Sequence, residues 1–334
     1  MIAAVVVGSL WLLRKLWVVS LAVVLALFIA RALDAPARWL RARLGRPALV
    51  AALGLMIFLA VVAAAGWLVI PAVADEFESL GPTLSEAVDD VEQWLVDDAP
   101  FDLDRRELEE LRTQVGDAFL SSLRSRSDSL ASGALAVFEG VIGLLLAVIA
   151  TFFFLKDGPR VQEGVLRRLP IGRRELTRKL ASRAWETIGG YLRGAAMLGA
   201  VESVAIGITL ALVGADLVIP VVVLTFAAAF VPMVGAIVAG IVAVLVALST
   251  SGLGAAVVVG IVALVVQQFD NDLLAPLVYG RTLQLHPLVV LFAVVGGGAL
   301  FGVAGTVLAV PVTAVLVNVT TELQRARHPE LAAP

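Results

Sequence analysis

A chain of 334 residues that is 60% hydrophobic and only 16% charged, with a mean hydropathy of +0.97, carries more apolar side chain than a soluble domain can cover, and several of its apolar runs are long enough to cross a bilayer. It has no cysteine and two histidines, which excludes a disulfide framework and a thiolate metal site and leaves no HExxH zinc motif. Its net charge is −3 and its three lysines (Lys15, Lys156, Lys179) sit in no G-x-x-x-x-G-K-[ST] run, so any transport is secondary or powered by a partner, and neither a cofactor nor a nucleic-acid partner is expected.

The chain reads as an all-α polytopic membrane protein of about eight transmembrane helices, some broken or folded into hairpins, with a helical extramembrane insertion. Residues 1–71 hold the first helices. Ile2 to Leu13 is apolar but too short to span, Leu16 to Ala30 follows, and the order of charge and apolar core is not that of a cleavable signal peptide. Arg31, Arg38, Arg41, Arg43 and Arg46 against Asp34 alone predict a cytoplasmic loop. Ala48 to Ile70 then crosses outward.

Residues 72–130 change character, with sixteen acidic residues against five arginines. Phe77, Leu80, Leu84, Val88, Val91 and Leu95, then Leu108, Leu111, Val115, Phe119 and Leu123, recur at helical spacing and predict two amphipathic extracytoplasmic helices broken near Pro100. Such a segment is a solvated acidic cap or a partner-binding element. Residues 131–155 return inward, and Asp157-Gly158-Pro159 is expected to end that helix. From Lys156 to Arg193 ten basic residues face four acidic ones, predicting cytoplasmic interfacial helices over residues 156–194 that touch anionic membrane lipid.

Residues 195–320 are the expected transport region, followed by a cytoplasmic tail over 321–334. Glu202 lies about a third of the way along the span Ala195 to Val213, and an intramembrane carboxylate is either a proton carrier or one end of an inter-helix hydrogen bond. Leu217 to Leu248 is interrupted at Phe230-Val-Pro232-Met-Val-Gly235. Because Pro232 cannot donate to the carbonyl of Ala228, two short helices are expected instead of one. Leu288 to Val319 is too long for one ordinary crossing and too short for two. Basic residues at both of its ends require an even number of crossings, so a hairpin bending in the run Gly296-Gly297-Gly298 to Gly305 is expected.

Between these segments lies Gln267-Gln268-Phe-Asp270-Asn271-Asp272-Leu-Leu-Ala-Pro276. An Asp near the bilayer centre costs on the order of 3 kcal/mol against about 0.5 kcal/mol returned by a Leu, so the cluster either lies at an interface or has a role. Gln267, Asp270 and Asn271 share one helical face, Gln268 and Asp272 another. Paired interrupted helices point to a transporter's substrate site, and these five polar residues would line it, with Pro232, Gly235, Pro276, Gly296, Gly297, Gly298 and Pro311 as hinges or breaks. Arg281 is an anchor at the headgroups or part of a relay. His286 caps a turn before Pro287 or relays protons.

Phe152-Phe-Phe-Leu-Lys-Asp-Gly158, Phe230-Val-Pro-Met-Val-Gly235, Gln268-Phe-Asp-Asn-Asp-Leu-Leu-Ala-Pro276, Gly280-Arg-Thr-Leu-Gln-Leu-His286-Pro287 and Ala309-Val-Pro311 together resemble the autoinducer-2 exporter family of bacterial membrane transporters. The resemblance spans essentially the whole chain, with Met1 expected to fall inside the family's first helix. It implies about eight membrane helices, a homo-oligomer such as a pentamer, and export of a small polar signal or, in some members, cation/proton antiport. The resulting expectation is a non-enzymatic secondary transporter or permease that exports a small polar solute across the bacterial inner membrane, coupled to H+ or Na+, with both termini cytoplasmic. Sodium or other cation/proton antiport and a non-transporting membrane scaffold are the other readings.

Overall fold

In hydrocarbon every backbone N–H and C=O must be paired within its own segment, and a chain of Ala, Leu, Val and Ile without strand-type alternation meets that demand as helix. The computed structural model describes the backbone of residues 17–97, 130–232, 234–270, 272 and 285–327, and the side chains of residues 17–74, 140–232, 234–270, 272, 285, 286 and 288–324. Among the described residues the elements are eight helices and no strand: α1 (Trp17–Leu44), α2 (Pro47–Asp97), α3 (Leu130–Arg167), α4 (Ile171–Leu212), α5 (Val218–Ala228), α6 (Val234–Ser251), α7 (Leu253–Phe269) and α8 (Pro287–Arg327). Six of them contain a stretch long and apolar enough to cross a membrane, while α5 and α7 are shorter apolar helices. The protein is multi-pass.

Three expected boundaries fall elsewhere. The basic run Arg31 to Arg43 is helix, not loop, because Asp34 pairs with Arg31 at i,i+3 and with Arg38 at i,i+4, both at 3.5 Å. The helix ends at Gly45, whose φ of 62° only glycine adopts readily and whose N–H reaches the carbonyl of Arg41 at 3.0 Å. α2 continues to Asp97 as one helix of 51 residues, so Phe77 to Leu95 extend a membrane helix, whereas the second amphipathic stretch, Leu108 to Leu123, lies outside the described residues. So does Ile2 to Leu13.

The third correction is at Asp157-Gly158-Pro159, which does not stop α3. Proline removes the donor that would reach the carbonyl four residues earlier, Leu155, and leaves it without an intrahelical partner. Here the Arg41 guanidinium of α1 donates through Nη2 to that same carbonyl. With the vacated bond replaced from a neighbouring helix, α3 runs on to Arg167. There Arg174 of α4 donates to the carbonyls of Leu169 at 3.1 Å and Arg167 at 3.0 Å, covering helix-end acceptors. No separate interfacial helix separates α3 from α4; the basic stretch is the two helix ends and their turn.

α4 is the hub. At 1.5 Å per residue its 42 residues reach about 63 Å, roughly twice the hydrocarbon thickness. Its basic half packs on α1 and α8, in a cluster of Phe28, Ile188, Tyr191, Val294 and Leu308. The half toward Leu212 packs on α5, α6 and α7 through Ile206, Leu210, Val221, Val246 and Val259. A third cluster, Ala30, Ala37, Val50, Ala51 and Leu155, joins α1, α2 and α3. The outside of the bundle is apolar, with Met56, Ile57, Val61, Trp67 and Ile70 of α2 exposed, as a hydrocarbon solvent requires.

Candidate functional site

Both long apolar segments reverse direction. α5 ends at Ala228 and α6 begins at Val234, and Pro232 stands in the turn. The carbonyl of Ala228 that proline leaves without its ordinary partner takes the Val231 N–H at 2.8 Å instead, and Gly235 donates to the Val231 carbonyl at 2.8 Å. Gly235 is buried directly against the Ala228 carbonyl, where a side chain has no room. The two-helix expectation for this segment holds, and the halves fold against each other.

The second reversal is inside α8. Gly302 has φ 61° and ψ −149°, a conformation essentially reserved for glycine. Residues eight apart in a straight helix are about 12 Å apart, yet a methyl group at Gly297 would lie 2.6 Å from the Gly305 carbonyl oxygen and 3.0 Å from Ala309 Cβ. The element is therefore the expected hairpin. Its bend is Gly302, however, while Gly296, Gly297 and Gly298 are helical and Gly297 and Gly298 serve arm-to-arm contact, Gly298 facing Thr306. Pro311 is buried inside the second arm, which continues through it.

α7 carries the polar stretch out of this framework. It leaves the α6 turn at Gly252, φ 82°, packs along α6 and α4, and widens into a π turn at Asp270 and Asp272, a distortion that often marks functional positions. The five candidates separate there. Asp270 is only 8% exposed, and its Oδ1 is buried without a hydrogen-bond partner among the described residues. Gln267 is half-buried, whereas Gln268 and Asp272 are exposed and hydrogen-bonded to each other, Nε2 donating to Oδ2, as their i,i+4 spacing predicts. Asn271, Pro276 and Arg281 lie outside the described residues.

Glu202 of α4 is half-buried. α4 and α7 share a cluster at Leu210, Ile206 and Val259, from which Glu202 lies back along α4 and Asp270 forward along α7. Glu202 is ten residues from the end of α4 at Leu212, about 15 Å along the axis, so this level is deep within the apolar length. The two interrupted segments meet different parts of α4. They stand on either side of α4: α5 and α6 pack against its Glu202 half, and α8 packs against its basic half and α1. His286, exposed at the start of α8, accepts the Leu288 N–H at its Nδ1, 3.2 Å away, the helix-capping geometry.

Three residues to which the sequence reading gave no role at the site position these parts. Tyr191, 2% exposed, donates its hydroxyl to the Phe230 carbonyl at 2.6 Å and so holds α4 to the broken segment. The Arg31 guanidinium, its side chain 12% exposed, lies against Gly189, which leaves it room; it donates to the Trp185 carbonyl at 3.0 Å and stacks 5.4 Å over the Trp185 ring. On α4, Gly199 lets α5 approach so closely that a methyl group there would lie 2.7 Å from Ala229 Cβ. Near the same end as Arg31, Lys179 pairs with Glu322 at 2.8 Å and Asn318 donates to Thr187 Oγ1 at 3.2 Å, fixing the outer arm of α8 to α4. The signals were present, two Tyr in the whole chain and an Arg next to an apolar run, but neither names its partner.

Among the described residues no group of three or more His, Cys, Asp or Glu is placed to hold a metal ion. The arrangement offers a buried Asp270, a half-buried Glu202 and glycine-dependent reversals at membrane depth, which suits conduction or exchange of small polar species. The chain is similar to a protein of Mycobacterium tuberculosis named as a candidate transport protein, at 32% identity over 95% of this chain and 86% of that protein. It is also similar to YueF of Bacillus subtilis, named likewise, at 28% identity over 66% of this chain and 63% of that one, and to PerM of Escherichia coli, named as a candidate permease, at 27% identity over 60% and 59%. The family model described as "AI-2E family transporter" matches residues 1–325, and this chain belongs to that transporter family.

Proposed function

We propose that this protein is a secondary transporter that exports a small polar solute, of the autoinducer-2 type, across the bacterial inner membrane as a homo-oligomer, with the arginine-rich helix ends and both termini in the cytoplasm. The observation that carries the reading is Asp270. A carboxylate 8% exposed, with one oxygen unpartnered among the described residues, sits where α7 meets α4, and its burial costs several kcal/mol that packing alone does not return. Nothing in a passive scaffold requires it. The reversals at Pro232–Gly235 and Gly302 supply the second ingredient, short helices that can move against α4 as units. Gln267 and Asp270 on one face, with Glu202 opposite, form the polar lining of the path.

The test is flux in reconstituted vesicles loaded with candidate polar solutes, with a pH or sodium gradient imposed. Wild-type protein is expected to move one solute class, and Asp270→Asn to reduce its rate at least tenfold with oligomer assembly intact. Unchanged flux in Asp270→Asn removes Asp270 from the path, and absence of flux for every solute with either gradient favours the scaffold reading.

A further inference from the structure

Thr225 of α5 differs from the other buried threonines. A threonine inside a helix can donate to the carbonyl four residues earlier, and Thr151, Thr187 and Thr209 do so, to Ala147, Arg183 and Ala205 at 2.7, 2.9 and 2.9 Å. Buried Ser203 donates to Ala200 at 3.2 Å. Thr225 is 2% exposed, yet its Oγ1 has no hydrogen-bond partner among the described residues. A buried hydroxyl left unpaired costs free energy that apolar packing does not return. Its position is fixed by the packing of α5 on α4. A methyl group at Gly207 would meet the Val222 side chain, and one at Gly199 would lie 2.7 Å from Ala229 Cβ and 3.1 Å from the Phe226 carbonyl oxygen. α5 therefore runs antiparallel along a row of small residues on α4, with Ser203 midway between the two glycines. Thr225, three residues after Val222 and four before Ala229, belongs to the same face. Ser203 is nine residues from the end of α4 at Leu212, about 14 Å along the axis, so the row lies at membrane depth.

We infer that α4 and α5 part along this glycine seam during transport, and that the Thr225 hydroxyl is the group that then hydrogen-bonds a neutral polar group, of the solute or of water in its place. Gly199 and Gly207 have no side chains to interlock with α5, so the seam opens without repacking on the α4 side. The closed state carries the cost of the unpaired hydroxyl and the open state removes it, which narrows the free-energy difference between them. A hydroxyl donates and accepts without charge, so it suits a hydroxyl, a carbonyl or a water molecule. The inference rests on the transporter reading and adds to it the surface that opens and a residue that the solute touches.

The chain has no cysteine, so a single introduced thiol reports its own surroundings. Thr225→Cys is compared in reconstituted vesicles with Val50→Cys, at a position 0% exposed in the cluster of α1, α2 and α3, using a membrane-impermeant charged methanethiosulfonate. Thr225→Cys is expected to react about tenfold faster, as a site uncovered by local opening does. Thr225→Val is expected to leave the thermal unfolding midpoint unchanged or raised, because it removes an unpaired hydroxyl, and to slow solute flux about five-fold, the worth of one hydrogen bond. Thr225→Ser keeps the flux. Equally slow modification of the two thiols overturns the inference, as does a lowered midpoint in Thr225→Val, which would reveal a structural partner for the hydroxyl. Fast modification with unchanged flux in Thr225→Val leaves water as the ligand and strikes the solute contact. Fast modification in a protein that moves no solute keeps the opening seam and removes the transport reading. Flux that Thr225→Val leaves at the wild-type rate, together with an unreactive Thr225→Cys, does the reverse.

Discussion

Pro159 in the amino-terminal bundle and Pro232 in the carboxy-terminal one confront the chain with the same difficulty and end differently. Each removes one helical donor at the edge of an apolar segment. At Pro159 the vacated acceptor, Leu155, is met by Arg41, and α3 continues for eight residues more to Arg167. At Pro232 the replacement is local. The Ala228 carbonyl is satisfied within the turn by Val231, Gly235 lets the backbone double back on itself, and α6 leaves along α5. The amino-terminal helices are thus held as continuous rods by side chains reaching across from neighbours, and the carboxy-terminal ones are divided into short pieces by glycine. Rods give a frame; pieces can shift against it.

The largest expected effect breaks that contrast at the glycine. In Gly235→Val the added atoms meet the Ala228 carbonyl, which is backbone and cannot rotate away, so the reversal must open at a cost of about 3 kcal/mol, the upper part of the overpacking range. Thermal unfolding in detergent reads this as a clear loss of midpoint. Gly240→Ala in α6, where an added methyl meets nothing within 4 Å, is the matched control and is expected to be neutral or slightly stabilising.

A smaller effect, about 1–3 kcal/mol for a buried acceptor left unpaired, is expected at the other proline. Arg41→Met removes the donor to Leu155, and Pro159→Ala restores the helical N–H that makes that donor unnecessary. If the arginine stands in for the missing bond, Arg41→Met is much less damaging in the Pro159→Ala background, giving a coupling of about 1 kcal/mol or more in a double-mutant cycle of unfolding midpoints. Additive effects would show that Arg41 contributes through packing alone.

These two sites also show what could be read from the residues. Composition and run length were sufficient for a helical, multi-pass fold because the bilayer leaves so few alternatives. Pro232 with Gly235 announced a break into two helices, since both signals are local and agree, but not that the halves would fold back on each other. Asp157-Gly158-Pro159 carried the same kind of local signal and misled, because the compensating donor comes from residue 41, more than a hundred positions away. The Gly-rich run in α8 announced a hairpin but not its bend: Gly296, Gly297, Gly298 and Gly302 are alike in sequence, and only packing decides which of them turns and which of them touch the other arm. At the candidate site the spacing separated Gln268 and Asp272 from Gln267 and Asp270. It gave no sign that α7 would pack on α4, because helix pairing across the bundle is a tertiary property.

The smallest effect expected concerns the link between frame and pieces. Tyr191 donates to the Phe230 carbonyl at 2.6 Å, from the half of α4 that Arg31, Asn318 and Lys179 fix to α1 and α8, to the first residues beyond α5. Tyr191→Phe keeps the ring and its burial and removes one hydrogen bond, about 1 kcal/mol. Global stability should therefore change little. Local opening should change more, because the Val231 and Gly235 amides, bonded at 2.8 Å to Ala228 and Val231, are protected only while the turn stays closed. Their hydrogen exchange is expected to accelerate about five-fold, while amides in the middle of α3 exchange as before. Acceleration spread equally over α3 would mean that the hydroxyl supports the whole bundle, and the division into a rigid frame and movable pieces would fail at the bond where the two meet.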